Sequence, residues 1–354
     1  MKVLTVIGNR PQFVKAAAVS RPLRERHDEV LVHTGQHYDD ELSTVFITEL
    51  GVPRPDYELG LGTGTNTEQT GRMLGALGPL LADERPDVVL VYGDTNSTLA
   101  GGLAAAQAGV PVAHVEAGMR SFDRRMPEEL NRVLVDGLSS LLLCPSETAA
   151  ENLRRESAHG AIEVVGDVMV DVALLFQPRA REREAPVALS DGFVLATAHR
   201  AGNVDDPARL AALVDLLCGL DRTVVLPLHP RTRARLEAAG QLERAGAELC
   251  LTPPLGYLDF TALLVRAGAV LTDSGGVQKE AYLAGVPCVT MRDTTEWVET
   301  VEVGWNVLVD LDAQAARAAL DRPPPAERPQ LYGDGRAAER VVAALDALTA
   351  VRAA

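Results

Sequence analysis

Short, β-branched apolar runs recur along the chain, each followed by a segment with the spacing of an amphipathic helix. The runs predicted as strands are 3–7, 30–34, 88–92, 112–115, 141–144 and 162–165, then 193–197, 223–228, 248–251, 269–272, 288–291 and 306–309. Strands that are apolar throughout, rather than alternating, are covered on both faces. With helices between them they form parallel sheets. Two such series, each of domain size, predict two doubly wound α/β domains facing a cleft. The expected division is 1–168, then 169–334, with a helix over 335–354 returning to the first domain. The join is expected near 166–186, because 178–186 has the Arg, Glu, Ala and Pro of a solvated linker. A further loop at 322–328 contains Pro323-Pro324-Pro325, and no repeat of solenoid type is visible.

A length of 354 residues suits two cores better than one. The formal charge of −15 argues against nucleic acid as a partner, since phosphate backbones are bound by excess Lys and Arg. Any phosphate must be met by local N–H groups and a few placed cations. Cys144, Cys218, Cys250 and Cys288 show no close pair and no metal spacing, so buried thiols in a reducing compartment are expected. The apolar start of the chain meets Gly8 and Arg10 too soon for a signal-peptide core, and no run approaches a membrane span. The expected location is the cytoplasm, with no membrane partner.

The motifs follow the predicted strands, where open parallel sheets bind their ligands. Ser274-Gly275-Gly276-Val277-Gln278-Lys279-Glu280 joins the run at 269–272 to a helix over 277–284. Glycines there let N–H groups approach a phosphate, and the helix start adds partial positive charge. Glu280, one turn in, is placed to accept from ribose hydroxyls. An ordinary strand-to-helix glycine turn explains Ser-Gly-Gly alone. Gly8-Asn9-Arg10-Pro11 follows the first strand, and Arg10 and Lys15 are candidate pyrophosphate ligands, or two solvated cations beside a turn. His199-Arg200 and His229 follow two strands of the second series. His199 reads as a phosphate or substrate contact or a capped core histidine, and the prolines flanking His229 suggest a rigid loop.

Asp94 follows the strand at 88–92, Glu116 follows 112–115, and Glu128 opens a helix in Pro127-Glu128-Glu129. Two have a structural reading, Asp94 as a helix cap and Glu128 as a first-turn acid, whereas Glu116, directly at a strand end, has less structural reason to be there. Together they come from successive ends of one sheet. Carboxylates held together split their pKa values, so one serves as base while another serves as acid. No metal-ligand constellation is visible, no Walker-type run, and no Gly-x-Gly-x-x-Gly after the first strand. ATP hydrolysis and NAD chemistry are thus poorly supported, and no cofactor is expected.

In this order the pieces resemble the non-hydrolysing UDP-N-acetylglucosamine 2-epimerases. The resembling motifs are Gly8-Asn9-Arg10-Pro11, Thr34-Gly35-Gln36-His37, Gly93-Asp94-Thr95, His114-Val115-Glu116-Ala117-Gly118-Met119-Arg120 and Pro127-Glu128-Glu129-Leu130-Asn131-Arg132. They continue with His199-Arg200, Thr272-Asp273-Ser274-Gly275-Gly276-Val277-Gln278, Met291-Arg292-Asp293-Thr294-Thr295-Glu296 and Tyr332-Gly333-Asp334-Gly335. The resemblance implies two Rossmann-like domains of glycosyltransferase-B architecture, a UDP-sugar in the cleft and a homodimer. It implies removal of the C2 proton with expulsion of UDP, then re-addition of UDP with a proton delivered to the other face. On that basis Asp94, Glu116 and Glu128 are the acid/base carboxylates and His199 assists catalysis at the phosphate or sugar. Arg10, Lys15, Phe260, Ser274, Gly275, Gly276 and Glu280 hold UDP. His229, from its place one strand after His199 and not from the resemblance, is a candidate sugar contact.

Three departures matter. Trp297-Val298 stands where many members continue with Arg-Pro. Ser121-Phe122-Asp123-Arg124-Arg125-Met126 places two arginines before Glu128, which, with Pro11-Gln12-Phe13, resembles the branch acting on UDP-2,3-diacetamido-2,3-dideoxy-glucuronate. Arg124 or Arg125 would then meet a C6 carboxylate; solvated loop charges are the alternative. Some bacterial members bind a second UDP-N-acetylglucosamine as activator. Gln36 and His37 match part of that region, whereas 62–69 lacks the expected Arg-Gln pair. The expected reaction is UDP-N-acetylglucosamine to UDP-N-acetylmannosamine, for polysaccharide precursors. The alternatives are the same reaction on the uronate, a glycosyltransferase, which needs an acceptor but no carboxylates around C2, or a non-catalytic sensor, for which such a cluster is costly.

Overall fold

A computed structural model of the chain describes residues 1–36 and 49–353, with side chains to 348. It divides into two compact units, Met1–Leu174 with Tyr332–Ala354, and Leu175–Leu331.

The first unit holds a seven-stranded sheet of β1 (Lys2–Ile7), β2 (Asp28–His33), β3 (Tyr57–Glu58), β4 (Val88–Tyr92), β5 (Val112–Val115), β6 (Leu141–Cys144) and β7 (Ala161–Val164). Their spatial order is β3-β2-β1-β4-β5-β6-β7, and every pairing is parallel. The second unit holds β8 (Val194–Thr197), β9 (Val224–Pro227), β10 (Cys250–Thr252), β11 (Ala269–Thr272), β12 (Cys288–Thr290) and β13 (Asn306–Leu308), in the order β10-β9-β8-β11-β12-β13, again all parallel. Each expected apolar run became a strand. Strands β1, β4, β5, β6 and β8 are buried almost throughout, as a sheet covered on both faces requires.

In both sheets the winding direction reverses at one point. β1 has β2 on one side and β4 on the other, and β8 has β9 on one side and β11 on the other. Loops at such reversals diverge and leave a crevice at the strands' carboxyl ends. The loops after β1 and β4 carry Arg10 and Asp94, and the loops after β8 and β11 carry His199 and Ser274 to Gly276.

Two local readings are corrected. The expected linker at 178–186 is mostly helix: Val168–Glu182 continues through Pro178 and crosses the boundary between the units. Its composition of Arg, Glu and Ala, which suggested solvation, also favours helix. β3 was not foreseen, because two exposed residues carry no apolar signal. At the far end, the Asp171 carboxylate accepts from the N–H groups of Ala337 (3.1 Å) and Ala338 (2.9 Å), which caps helix Ala337–Ala353. That helix packs on helix Arg10–Arg24, and Asp346 takes His27 Nε2 at 2.9 Å. All four cysteines are free, and burial pushes the thiols of Cys144 and Cys288 up to about 12. Among the described residues no helix is long and apolar enough to cross a membrane.

Candidate active site

In the first unit the site grows from three strand ends. After β1, Asn9 caps helix Arg10–Arg24 in a capping box with Gln12. Gln12 is buried, and its amide ties two loops together. Its Oε1 accepts from Gly8 N (2.7 Å), and its Nε2 donates to Tyr92 O (2.7 Å), Thr95 Oγ1 (3.0 Å) and Thr98 Oγ1 (2.9 Å). The Arg10 turn and the Asp94 turn are therefore held in fixed relation. Gln36 Oε1 adds a third loop by accepting from Ser97 N (3.0 Å) and Oγ (2.7 Å). His37 lies outside the described residues.

Asp94 does not cap the following helix. Thr95 does, accepting from Thr98 N. That leaves the Asp94 carboxylate for Arg132, with which it forms an ion pair, while Asn131 Nδ2 donates to Asp94 O at 2.8 Å. Glu128 stands three and four residues before Asn131 and Arg132, hence on the same face of helix Pro127–Leu138, and is exposed. Its neighbour Glu129 is buried and structural. Its oxygens accept from Ser121 N (2.8 Å), Phe122 N (3.1 Å) and Arg132 Nη1 (3.1 Å). Burial raises the Glu129 pKa, and the bonds to Ser121, with Arg132 beside it, outweigh that and bring it below the usual range.

Glu116 has φ of +73°, the left-handed region that a non-glycine residue enters at a cost of about 1–2 kcal/mol. Its N–H still bonds Leu143 O at 3.0 Å, so the loop is built around this conformation. The outcome is a carboxylate paired with Lys15, with only 12% and 10% of the two side chains exposed. A Cβ at Gly93 would lie 3.4 Å from both Glu116 Oε2 and Lys15 Nζ, which puts the pair one residue from Asp94. Asp94, Glu116 and Lys15 thus gather at the ends of β4 and β5, and Arg10 stands half-buried at the head of its helix.

The second unit builds a different site. Asp273 is fully buried, and its carboxylate accepts from His199 N (3.1 and 3.0 Å), Arg200 N (3.0 Å) and Asn203 Nδ2 (3.3 Å). It therefore shapes the turn after β8 and seats His199, whose Nδ1 lies 3.5 Å away. Burial lowers the His199 pKa against the pull of Asp273, and Arg200 and Arg231 lower it further. The ring stands 5.5 Å from that of His229, which caps helix Pro230–Ala238 by accepting from Arg231 N at 3.2 Å. Ser274 precedes helix Gly275–Ala284, and its side chain makes no cap hydrogen bond. Gly276 is exposed and open. Gly275 is buried, and a Cβ there would collide with the Glu296 carboxylate, which Arg292 Nη1 holds at 2.9 Å. Glu280 is half-buried one turn in.

Phe260 packs in the apolar core with Phe193, Leu263 and Val270. Arg124 is exposed, and Arg125 forms a double hydrogen bond to Asp123 (2.8 and 2.9 Å). Trp297, where an arginine was expected, takes Lys279 Nζ over its ring at 4.1 Å. The sequence reading gave no role to Gln12, Arg132, Asp136 or Asp273. Burial of a polar side chain is the signal that separates them, and it is invisible in one sequence.

A family model described as UDP-N-acetylglucosamine 2-epimerase matches residues 21–346. Over 357 residues the chain is 50% identical to the UDP-2,3-diacetamido-2,3-dideoxy-D-glucuronate 2-epimerase of Pseudomonas aeruginosa, covering 96% of this chain and 98% of that one. It is 41% identical to the UDP-N-acetylglucosamine 2-epimerase of Methanocaldococcus jannaschii, covering 97% and 98%. The crystal structure of the M. jannaschii UDP-GlcNAc 2-epimerase in complex with UDP-GlcNAc and UDP superposes with a TM-score of 0.92 at 40% identity, covering 98% of this chain and all of that one. The Neisseria meningitidis enzyme bound to UDP-GlcNAc gives 0.88 at 29% identity, covering 98% and 100%. Two parallel-sheet units of glycosyltransferase-B type agree with these relationships, and the chain belongs to the UDP-N-acetylglucosamine 2-epimerase family.

Proposed function

We propose that this chain inverts C2 of a UDP-2-acetamido sugar by eliminating UDP and adding it back, and that its substrate is UDP-2,3-diacetamido-2,3-dideoxy-glucuronate. A carboxylate takes the C2 proton while the C1–O bond breaks and UDP leaves with the electron pair, giving a C1=C2 double bond. A UDP oxygen then re-adds to C1, and a second acid protonates C2 from the opposite face. Two faces require two proton carriers, and Asp94 and Glu116 supply them, with Glu128 on the helix face next to Asp94. A proton beside an acetamido carbon is weakly acidic, so departing UDP must be stabilised at the same moment. Fixed N–H groups at Gly275 and Gly276, with the Ser274 hydroxyl, suit that task because they reorganise little. Lys15 pairs with Glu116 and holds that carboxylate in place. The observation that carries the reading is Glu116 in a left-handed backbone, paired with Lys15 beside Gly93-Asp94.

The choice of sugar rests on the 50% identity to the Pseudomonas relative, against 41% to the M. jannaschii one. One observation favours UDP-N-acetylglucosamine instead: Arg125 engages Asp123 rather than standing ready for a sugar carboxylate. Arg124 then becomes the residue to test. Turnover should be measured on both sugars with Arg124→Ala beside the parent protein. A lost charge-assisted contact of about 1.5–3 kcal/mol lowers kcat/KM for the uronate roughly 10–150-fold and leaves UDP-N-acetylglucosamine unchanged. Good turnover of UDP-N-acetylglucosamine with none of the uronate would discard this substrate.

A further inference from the structure

One buried carboxylate that the reaction does not consume reaches both loops of the proton carriers, the Glu116 loop directly and the Asp94 loop through His114. Asp136 sits inside helix Pro127–Leu138 with 2% of its side chain exposed. Its Oδ2 accepts from Gly118 N (3.1 Å), two residues after Glu116, and from Arg120 Nη1 (2.8 Å). Its Oδ1 meets His114 Nδ1 at 2.7 Å. The His114 ring is wholly buried, and its Nε2 meets Gly93 O at 2.7 Å, one residue before Asp94. Arg120 is held in turn by Glu156, at 2.9 and 2.7 Å.

The proton count follows from the acceptors. A backbone carbonyl only accepts, so Nε2 carries a hydrogen. The Nδ1–Oδ1 contact needs a hydrogen of its own, or two lone pairs would face each other in a dry interior. Loop geometry depends on the same atoms. Gly118 has φ of +79°, and a Cβ there would run into Ala149 O, so the loop lies close against helix Glu147–Arg155.

We propose that Asp136 is a positioning residue for this reaction, fixing Asp94 through His114 and Gly93, and fixing Glu116 through Gly118, with a hydrogen on both His114 ring nitrogens. This rests on the reading of Asp94 and Glu116 as the proton carriers. Asp136 touches no substrate. It sets the separation of the two groups that do. Burial raises the Asp136 pKa, and His114 and Arg120 outweigh that and lower it, in keeping with the hydrogen residing on the ring.

The test combines kinetics with a signature that packing alone would not move. Nitrogen-15 spectra of the wild-type protein should show both His114 nitrogens protonated, and Asp136→Asn should remove the hydrogen from Nδ1. A carboxylate displaced by about 1 Å costs on the order of 100-fold, so Asp136→Asn should lower kcat about that much, with KM and UDP affinity within threefold. Should that variant fail to fold, His114→Asn cuts only the Gly93 arm and should lower kcat by about tenfold or more. A wild-type spectrum with unprotonated Nδ1, or a folded Asp136→Asn protein with native kcat, overturns the proposal. Asp94→Asn and Glu116→Gln separate the two ideas. If both lose turnover while Asp136→Asn keeps it, only the positioning role falls. If both keep turnover, the proton-carrier reading falls and the positioning role with it.

Discussion

Glu116→Gln tests the site where structure and chemistry meet. The substitution keeps shape and removes one charge, so the Lys15 ammonium, 10% exposed, faces a neutral amide. Breaking a buried ion pair costs about 3–5 kcal/mol. Both side chains keep roughly a tenth of their surface in water, which points to the low end, about 3 kcal/mol. The left-handed backbone adds nothing to the difference, because Gln is no easier there than Glu. Lys15→Met combined with Glu116→Gln removes both charges, and neutral groups in place of a buried pair are often close to neutral in stability. The double variant should thus regain about 2 kcal/mol over Glu116→Gln alone, read from denaturant unfolding of the parent, Glu116→Gln, Lys15→Met and the double variant. Turnover behaves differently. Removing a positioned acid or base costs on the order of 10²–10⁴-fold, and the second substitution cannot restore it. Recovered stability with lost turnover is the expected pattern. Stability effects that add to within about 0.5 kcal/mol would show the pair to be uncoupled and refute the reasoning.

Gly275→Ala drives a methyl group into the Glu296 carboxylate and so displaces the helix start beside Gly276; UDP affinity by calorimetry should fall tenfold or more, while the melting temperature moves by a few degrees. His199 titrates below its ordinary value because of burial, opposed by Asp273. Its unfolded form binds more protons in that window, so stability is complete above about pH 6.5 and declines as pH falls toward the lowered value. His199→Asn should flatten that decline in melting temperature between pH 7 and pH 5.

The fold was largely legible because buried parallel strands announce themselves as continuous apolar runs. β4 and β5 were found in place, whereas β3 was hidden by having only Tyr57 and Glu58, both exposed. Pro178 misled, since it lies exposed inside helix Val168–Glu182, which continues past it to Glu182. Among the candidate site residues, Asp94, Glu116, His199 and Ser274 to Gly276 do follow strand ends, as the sequence indicated. Partners were out of reach: Lys15 and Glu116 are 101 residues apart, and no spacing links them. The pair Glu128-Glu129 shows the same limit at short range. Neighbouring helix residues point about 100° apart, and only the fold shows that Glu129 faces inward to Ser121 while Glu128 stays exposed.

The central claim is a proton removed from C2 and returned from solvent on the opposite face. Incubation with each UDP-2-acetamido sugar in D2O, with no acceptor added, followed by NMR of the product, addresses it directly. The account predicts the C2 epimer carrying deuterium at C2, since carboxylates exchange their protons with solvent. An epimer that retains its original hydrogen, or a product glycosylated elsewhere with C2 unchanged, would contradict it.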